Sequence, residues 1–374
     1  MDNLTHSLVG LTAAKAGLER LSPYATVVCL ASANAADADF VTLFFGDRWT
    51  LLQHHRGITH SIVGTMAIGL LVPVLALVIE RIVGALTSYK TRIRFRGLVL
   101  ASMIAAASHP LMDWTNNYGV RPLLPWSGRW FYGDLVFIVD PYLWLVLGGA
   151  AFLLTSNTKI RTLAWAVLAT LGTSLIIVAS RNREAGPALK IAVVIWMVGI
   201  VILTALRFSR FAKRFGRAIA FATLLFVVCY WGVLAVIHRG AYDKAVIVAT
   251  QLADARGERL IKAAAMPSIA TPFTWQCVAE TDRAMYRFVI SGEDPSAPQR
   301  IEKLTGRGSQ LLSIAEKDRR AQVLLGFARF PIEKIDSDNC VGQALVQFAD
   351  LRYTEPGTSR GNFSVNIPVD CPSK

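Results

Sequence analysis

The sequence predicts an α-helical integral membrane protein: a short N-terminal helical hairpin, about six transmembrane helices, and a small extramembrane domain that is α+β or mostly β. Three observations predict it. The chain is 53% hydrophobic and only 17% charged, against roughly 25% charged in soluble domains, and its mean hydropathy is +0.42. Six apolar runs, near 61–79, 97–115, 135–154, 162–180, 189–206 and 218–237, approach the roughly 20 residues needed to cross a bilayer. After His238 the composition changes to that of a soluble domain. The predicted division is a membrane domain over 1–238 and a soluble domain over 239–374.

The first 46 residues form the hairpin. Residues 4–18 and 24–36 are apolar but short, each reaching only about 20 Å as a helix, and Ser22-Pro23 breaks between them and supplies a helix start. Asp2, His6, Lys15 and Glu19 interrupt the region where a secretory signal would place its apolar stretch, so no such signal is expected.

Charge orients the spans. Residues 1–238 hold 21 Lys/Arg and 10 Asp/Glu, whereas residues 239–374 hold 18 and 16. The excess lies in short loops such as SYKTRIRFRG (88–97) and RFSRFAKRFGR (207–217). That is a positive-inside pattern rather than a nucleic-acid-binding face, so no nucleic-acid partner is expected. The basic loops belong in the cytoplasm, and the soluble domain is then expected in the periplasm. Trp114, Tyr118, Trp126, Trp130, Phe131 and Tyr132 crowd the loop after the second run and read as an interfacial aromatic belt.

In the soluble domain, residues 241–265 carry apolar positions at helical spacing. FTWQCVAE, MYRFVISG, QVLLGFARF, ALVQFADLRY and NFSVNIPV read as short strands. Cys277, Cys340 and Cys371 allow one disulfide in an oxidising compartment and leave one thiol over. Cys29 and Cys229 sit in apolar runs as buried hydrophobes.

Five of the six histidines lie in the first 109 residues. His6, Asp37, Asp39, His54, His55, His60, His109 and Asp113 all fall at one predicted membrane face. His109 and Asp113 are four apart and share one side of a helix. Asp37 and Asp39 alternate, and Gly57 can bend the loop that joins His55 to His60. Ionisable groups in apolar segments are costly and mark function. Imidazole with carboxylate is the ligand set of zinc, manganese or iron, and a poor one for copper. One tetrahedral zinc uses four ligands or fewer, so the set permits one ion with outer carboxylates, or two ions. Arg56 can meet an anionic substrate, a phospholipid headgroup or an Asp. Asp140 can cap a helix. Asp113 or an acidic-pair carboxylate such as Asp39 can act as base or orient a histidine. The same ligands in a helix bundle can also bind a cation for transport or sensing.

THSLVG, DADF, HRGITHS and HPLMDWTNNYG together resemble the YdjM-type family of inner-membrane, LexA-regulated, metal-dependent hydrolases. FIVDPYLW (137–144), FARFP (327–331) and FADLRY (348–353) add to the likeness. The resemblance implies an inner-membrane location and a divalent-metal site, zinc first, built from His6, Asp37, Asp39, His55, His60, His109 and Asp113. It favours His55 over His54 as the histidine preceding Arg-Gly. It implies hydrolysis of a small or lipid-linked anionic substrate, with membrane lipid as partner. Family members commonly carry Pro-Asp-x-Asp, whereas here Ala36 precedes Asp37.

Overall fold

The computed structural model describes all residues except 88–91, 182–186, 210, 293–294, 305–306, 337–341, 357–362 and 372–374. The parts of the basic loops at 88–91 and 210, the 182–186 part of the loop before residue 190, and Cys340 therefore lie outside the described residues. The chain forms two compact units. One comprises Met1–Ala38, Arg56–Val236 and Pro267–Pro272, and the other Asp39–His55, Ile237–Met266 and Phe273–Lys374.

In the first unit, α1 (Asn3–Ala16) begins at Asp2, whose carboxylate accepts from the Thr5 amide at 3.0 Å. α2 (Ala25–Asn34) returns beside it. The close approach depends on Gly10: a Cβ there would lie 2.8 Å from the Ala33 Cβ and 2.8 Å from the Cys29 carbonyl oxygen. The second arm is longer than predicted. After α2 the chain continues as a 3-10 helix, Ala35–Phe44, and the combined run of 20 residues is long and apolar enough to span.

α3 (Arg48–His54) belongs to the other unit. α4 (Ile62–Thr87) and α5 (Phe95–Trp114) follow as long apolar helices. α5 is packed through small residues: Ala101, Ser102, Ala105 and Ala106 are buried, and Ser102 shares a 2.7 Å hydrogen bond with Ser32 on α2. Small residues allow this approach where the apolar effect between helices is weak.

The predicted run 135–154 is corrected. Its helix, α6 (Pro141–Thr155), starts later because Asp140 caps it, accepting from the amides of Tyr142 at 2.8 Å and Leu143 at 2.9 Å. At 15 residues it reaches about 22 Å. α7 (Lys159–Ser180), α8 (Pro187–Phe208) and α9 (Phe211–Asp254) complete the helices. Six helical segments among the described residues are long and apolar enough to cross a membrane, and the chain is a multi-pass membrane protein.

A second correction concerns the junction. The expected span 218–237 and the expected helix 241–265 merge into α9, which runs unbroken through His238. Residues 260–265 are strand instead, because Gly257, at φ +60°, turns the chain after the helix ends.

In the second unit the C-terminal part of α9 lays an alanine stripe, Ala241, Ala245 and Ala249, against Trp275, Cys277 and Phe288. β1 (Leu260–Ser268), β2 (Thr271–Thr281), β3 (Ala284–Ser291) and β4 (Gln299–Glu302) form a sheet in that order. α10 (Arg307–Ala315) and α11 (Arg319–Phe327) follow. α11 corrects the strand expected at QVLLGFARF. Asp318 caps it through the Arg320 amide, and Ala321, Leu324 and Phe327 are buried at helical spacing. β5 (Pro331–Ile335), β6 (Gln343–Asp350) and β7 (Ser364–Asp370) make a second antiparallel sheet. Cys371 is disulfide-bonded. Cys277 is free and buried, and burial pushes its thiol up to about 12.

Candidate metal centre

Three chain segments of the membrane unit converge on one point. The 3-10 continuation of α2 brings Asp37. A single 3-10 turn, Ile58–His60, brings His60 immediately before α4. One side of α5 brings His109 and Asp113 together. These four residues offer ligand atoms that all lie within 4.8 Å of one another.

The distances within the cluster are narrowly spread. His60 Nε2 lies 3.1 Å from His109 Nε2. Asp37 Oδ1 is 3.4 Å from His60 Nε2 and 3.5 Å from His109 Nε2. Asp113 Oδ2 is 3.3 Å and 3.6 Å from the same two nitrogens. Four donors about 2.05 Å from a common centre stand about 3.35 Å apart at the corners of a tetrahedron. The five distances bracket that value. His60, His109 and Asp113 are buried, and Asp37 is the most exposed of the four at 8%.

The surroundings fix which nitrogen of each ring faces inward. His109 Nδ1 donates to the Ala33 carbonyl at 2.6 Å, which leaves its Nε2 lone pair on the cluster. Thr59 Oγ1 holds His60 Nδ1 at 3.0 Å. Such outer contacts orient metal-binding histidines and raise their basicity. The donor set therefore fits a divalent ion, and the buried Asp113 Oδ2, which has no hydrogen-bond partner, supports the same assignment.

His6 lies against this set. Its ring stacks on His109 at 3.7 Å with an 11° tilt, and its Nε2 is 3.3 Å from Asp113 Oδ1. Both of its ring nitrogens are buried without a hydrogen bond. Asp113 Oδ1 also takes the Met1 amine and Arg56 Nη2, the latter at 3.0 Å.

Arg56 is 2% exposed. It hydrogen-bonds Asn116 Oδ1 at 2.9 Å and the Gly119 carbonyl at 3.2 Å, and stacks on Tyr118 at 4.6 Å. Of the roles the sequence leaves open for it, this geometry realises the ion pair with an Asp. Arg56 also carries the bend expected at Gly57, with φ +53° at Arg56 and −89° at Gly57.

Asp39 and His55 belong to the other unit. There His55 Nδ1 stands 3.0 Å from Asp39 Oδ1, and its ring packs on Phe40 at 4.8 Å. His54 is exposed. Of the seven residues the resemblance implies, the structure thus gathers His6, Asp37, His60, His109 and Asp113 in one unit and pairs Asp39 with His55 in the other.

The sequence reading did not single out Asn116, Ala33, Thr59 or the Met1 amine. Only Asn116 had a readable signal, three positions after Asp113 in HPLMDWTNN.

Residues 1–185 match the family described as YdjM inner membrane protein. The match covers 185 of the 374 residues. It contains every residue of the four-membered cluster. The uncharacterized protein YfhP of Bacillus subtilis (strain 168) is 26% identical over 155 residues, which span 39% of this chain and 43% of that protein. No solved structure matches the chain.

Proposed function

We propose that the protein is a membrane-embedded, metal-dependent hydrolase acting on an anionic phosphoester or lipid-linked substrate. The observation that carries this reading is the near-tetrahedral spacing of Asp37, His60, His109 and Asp113, 3.1–3.6 Å over five donor pairs. The absence of Cys and Met from the set favours zinc over copper, and a compact four-donor N/O set favours zinc over manganese or iron. A divalent ion held there would supply Lewis acidity and, on taking water as a further ligand, would bring the pKa of that water toward about 7.

The chain's own groups then have distinct tasks. His109 presents an Nε2 lone pair fixed by its Nδ1 bond to the Ala33 carbonyl, and His60 turns its Nε2 to the same centre. Arg56 pairs with Asp113 Oδ1, and Asp113 Oδ2 faces the histidines. Asp37, the most exposed member, stands where water and substrate approach. Its Oδ1 makes the histidine contacts, and its Oδ2 can accept a proton from water.

We place the centre toward the outer face of the inner membrane and the C-terminal domain in the periplasm. The basic loops support this orientation, as does the disulfide at Cys371, since such bonds persist in oxidising compartments.

The test is turnover of bis(p-nitrophenyl) phosphate and of a fluorescent phospholipid by detergent-purified, zinc-loaded protein. Asp37→Asn keeps an oxygen donor but weakens proton acceptance, and kcat should fall about 100-fold with zinc content retained. A zinc-loaded wild type that hydrolyses neither substrate above the His109→Ala background would reject hydrolysis and favour cation binding or sensing.

A further inference from the structure

A second polar site lies in the same unit, away from the metal cluster. His6 and Lys15 are nine positions apart on α1, about 14 Å along its axis. Around the Lys15 end is a cavity of about 610 Å³. Its lining includes four cations, Lys15, Arg20, Arg207 and Arg217, and one carboxylate, Glu19. They come from four separate places in the chain: the end of α1, the turn after it, the end of α8 and the first turns of α9.

The existing contacts leave this charge uncompensated. Glu19 is paired with Lys15 at 2.7 Å. Arg207 spends Nε and one amino group on Ser156, at 2.8 Å and 2.7 Å. Among the described residues, Arg217 uses Nε alone, on the Ala16 carbonyl at 2.7 Å. Both arginines thereby close the C-terminal end of a helix, α6 and α1 respectively, and both line the cavity with donors to spare, since a guanidinium carries five. Three positive charges in excess converge on one cavity beside apolar helices, an arrangement that an anion relieves. Beside Asn157, the rest of the lining is apolar or small, with Leu153, Leu154, Phe208 and Ala212. Gly216 leaves room as well: a Cβ there would meet only the Leu154 side chain, at 4.0 Å.

We propose that this cavity binds an anionic phosphate group against its cations, with the apolar wall receiving the adjoining hydrocarbon of an acidic phospholipid. The site is separate from the metal centre, and its test does not depend on hydrolysis.

Full-length protein in neutral detergent is titrated with short-chain phosphatidylglycerol, short-chain phosphatidylcholine and inorganic phosphate. Binding is read by native mass spectrometry and by the shift in unfolding temperature. Phosphatidylglycerol should bind at least tenfold more tightly than phosphatidylcholine, since each surface cation contributes about fivefold. Arg20→Gln, at an exposed position, should weaken phosphatidylglycerol about fivefold, and Gly216→Phe should abolish its retention by filling the cavity. The helical circular-dichroism signal should stay at the wild-type level in both, which separates lost binding from lost folding. Weak binding of inorganic phosphate assigns the site to the lipid. Equal competition by inorganic phosphate assigns the same chemistry to a soluble phosphorylated ligand. Equal affinity for the two lipids, or phosphatidylglycerol affinity unchanged in both variants, overturns the proposal.

Discussion

α5 and α7 are both long enough to span a membrane, at 20 and 22 residues, yet they are built for different neighbours. α5 has a mean hydropathy of 1.3 and 39% of its most apolar stretch is buried in protein, against 2.0 and 11% for α7. α5 buries Ala101, Ser102, Ala105 and Ala106, and its last turns carry His109 and Asp113. α7 exposes Leu163, Leu171, Leu175 and Val178, and between Arg161 and Ser180 it has no ionisable residue. A helix meant for lipid needs only apolar bulk. A helix that holds a polar site must be enclosed by other helices, and small residues allow that enclosure. The less hydrophobic span is the one that carries the His109 and Asp113 pair of the candidate metal centre.

Substitutions on the two helices should separate sharply. The largest effect is expected from His109→Ala on α5, which removes one of four donors and should lower metal affinity more than about 100-fold, while Leu171→Ala on α7 leaves it unchanged. Metal content after dialysis against a graded chelator measures both. The next effect lies beside α5. Arg56→Lys loses the fork that joins Asp113, Asn116 and Gly119, and metal affinity should fall about 10–100-fold, as for other groups that orient ligands.

Packing gives a smaller contrast. Ala105→Leu adds three carbons at a fully buried position and should cost about 1–3 kcal/mol. Leu171→Ala, 61% exposed, should stay within about 0.5 kcal/mol. Denaturation in detergent, followed by circular dichroism, reads the pair.

The smallest effect is expected outside the membrane. Burial, with the like charge of Glu316 as the next cause, raises the Glu333 carboxyl from 4.5 to about 7. The folded domain then holds a proton there that the unfolded chain releases, so this residue's contribution is complete below about pH 4.5 and is lost as pH rises to about 7. Glu333→Gln should flatten the unfolding temperature across that window without altering metal content.

Much of this contrast was legible in the sequence. The apolar runs near 61–79 and 97–115 correspond to α4 and α5, because continuous apolar length is a strong local signal. His109 and Asp113 share a side because four residues make about one helical turn. What stayed hidden depended on nonlocal contacts or on caps. The start of α6 was set by Asp140 rather than by hydropathy. QVLLGFARF alternates well enough to resemble a strand, but the Asp318 cap and the burial of Ala321, Leu324 and Phe327 make it a helix. The continuation of α9 past His238 was masked by a change in composition that leaves helical periodicity intact. In the site, the His109 tautomer set by the Ala33 carbonyl carries no sequence signature, since any residue supplies a carbonyl.

The central claim is that Asp37, His60, His109 and Asp113 together hold a metal ion. Elemental analysis of the full-length protein, purified in detergent without added chelator, tests it most directly. One tightly held divalent ion per chain is expected in the wild type and none in His60→Ala or His109→Ala, with the helical circular-dichroism signal preserved. A folded wild type that carries no stoichiometric metal, and takes none up on dialysis against zinc, would contradict it.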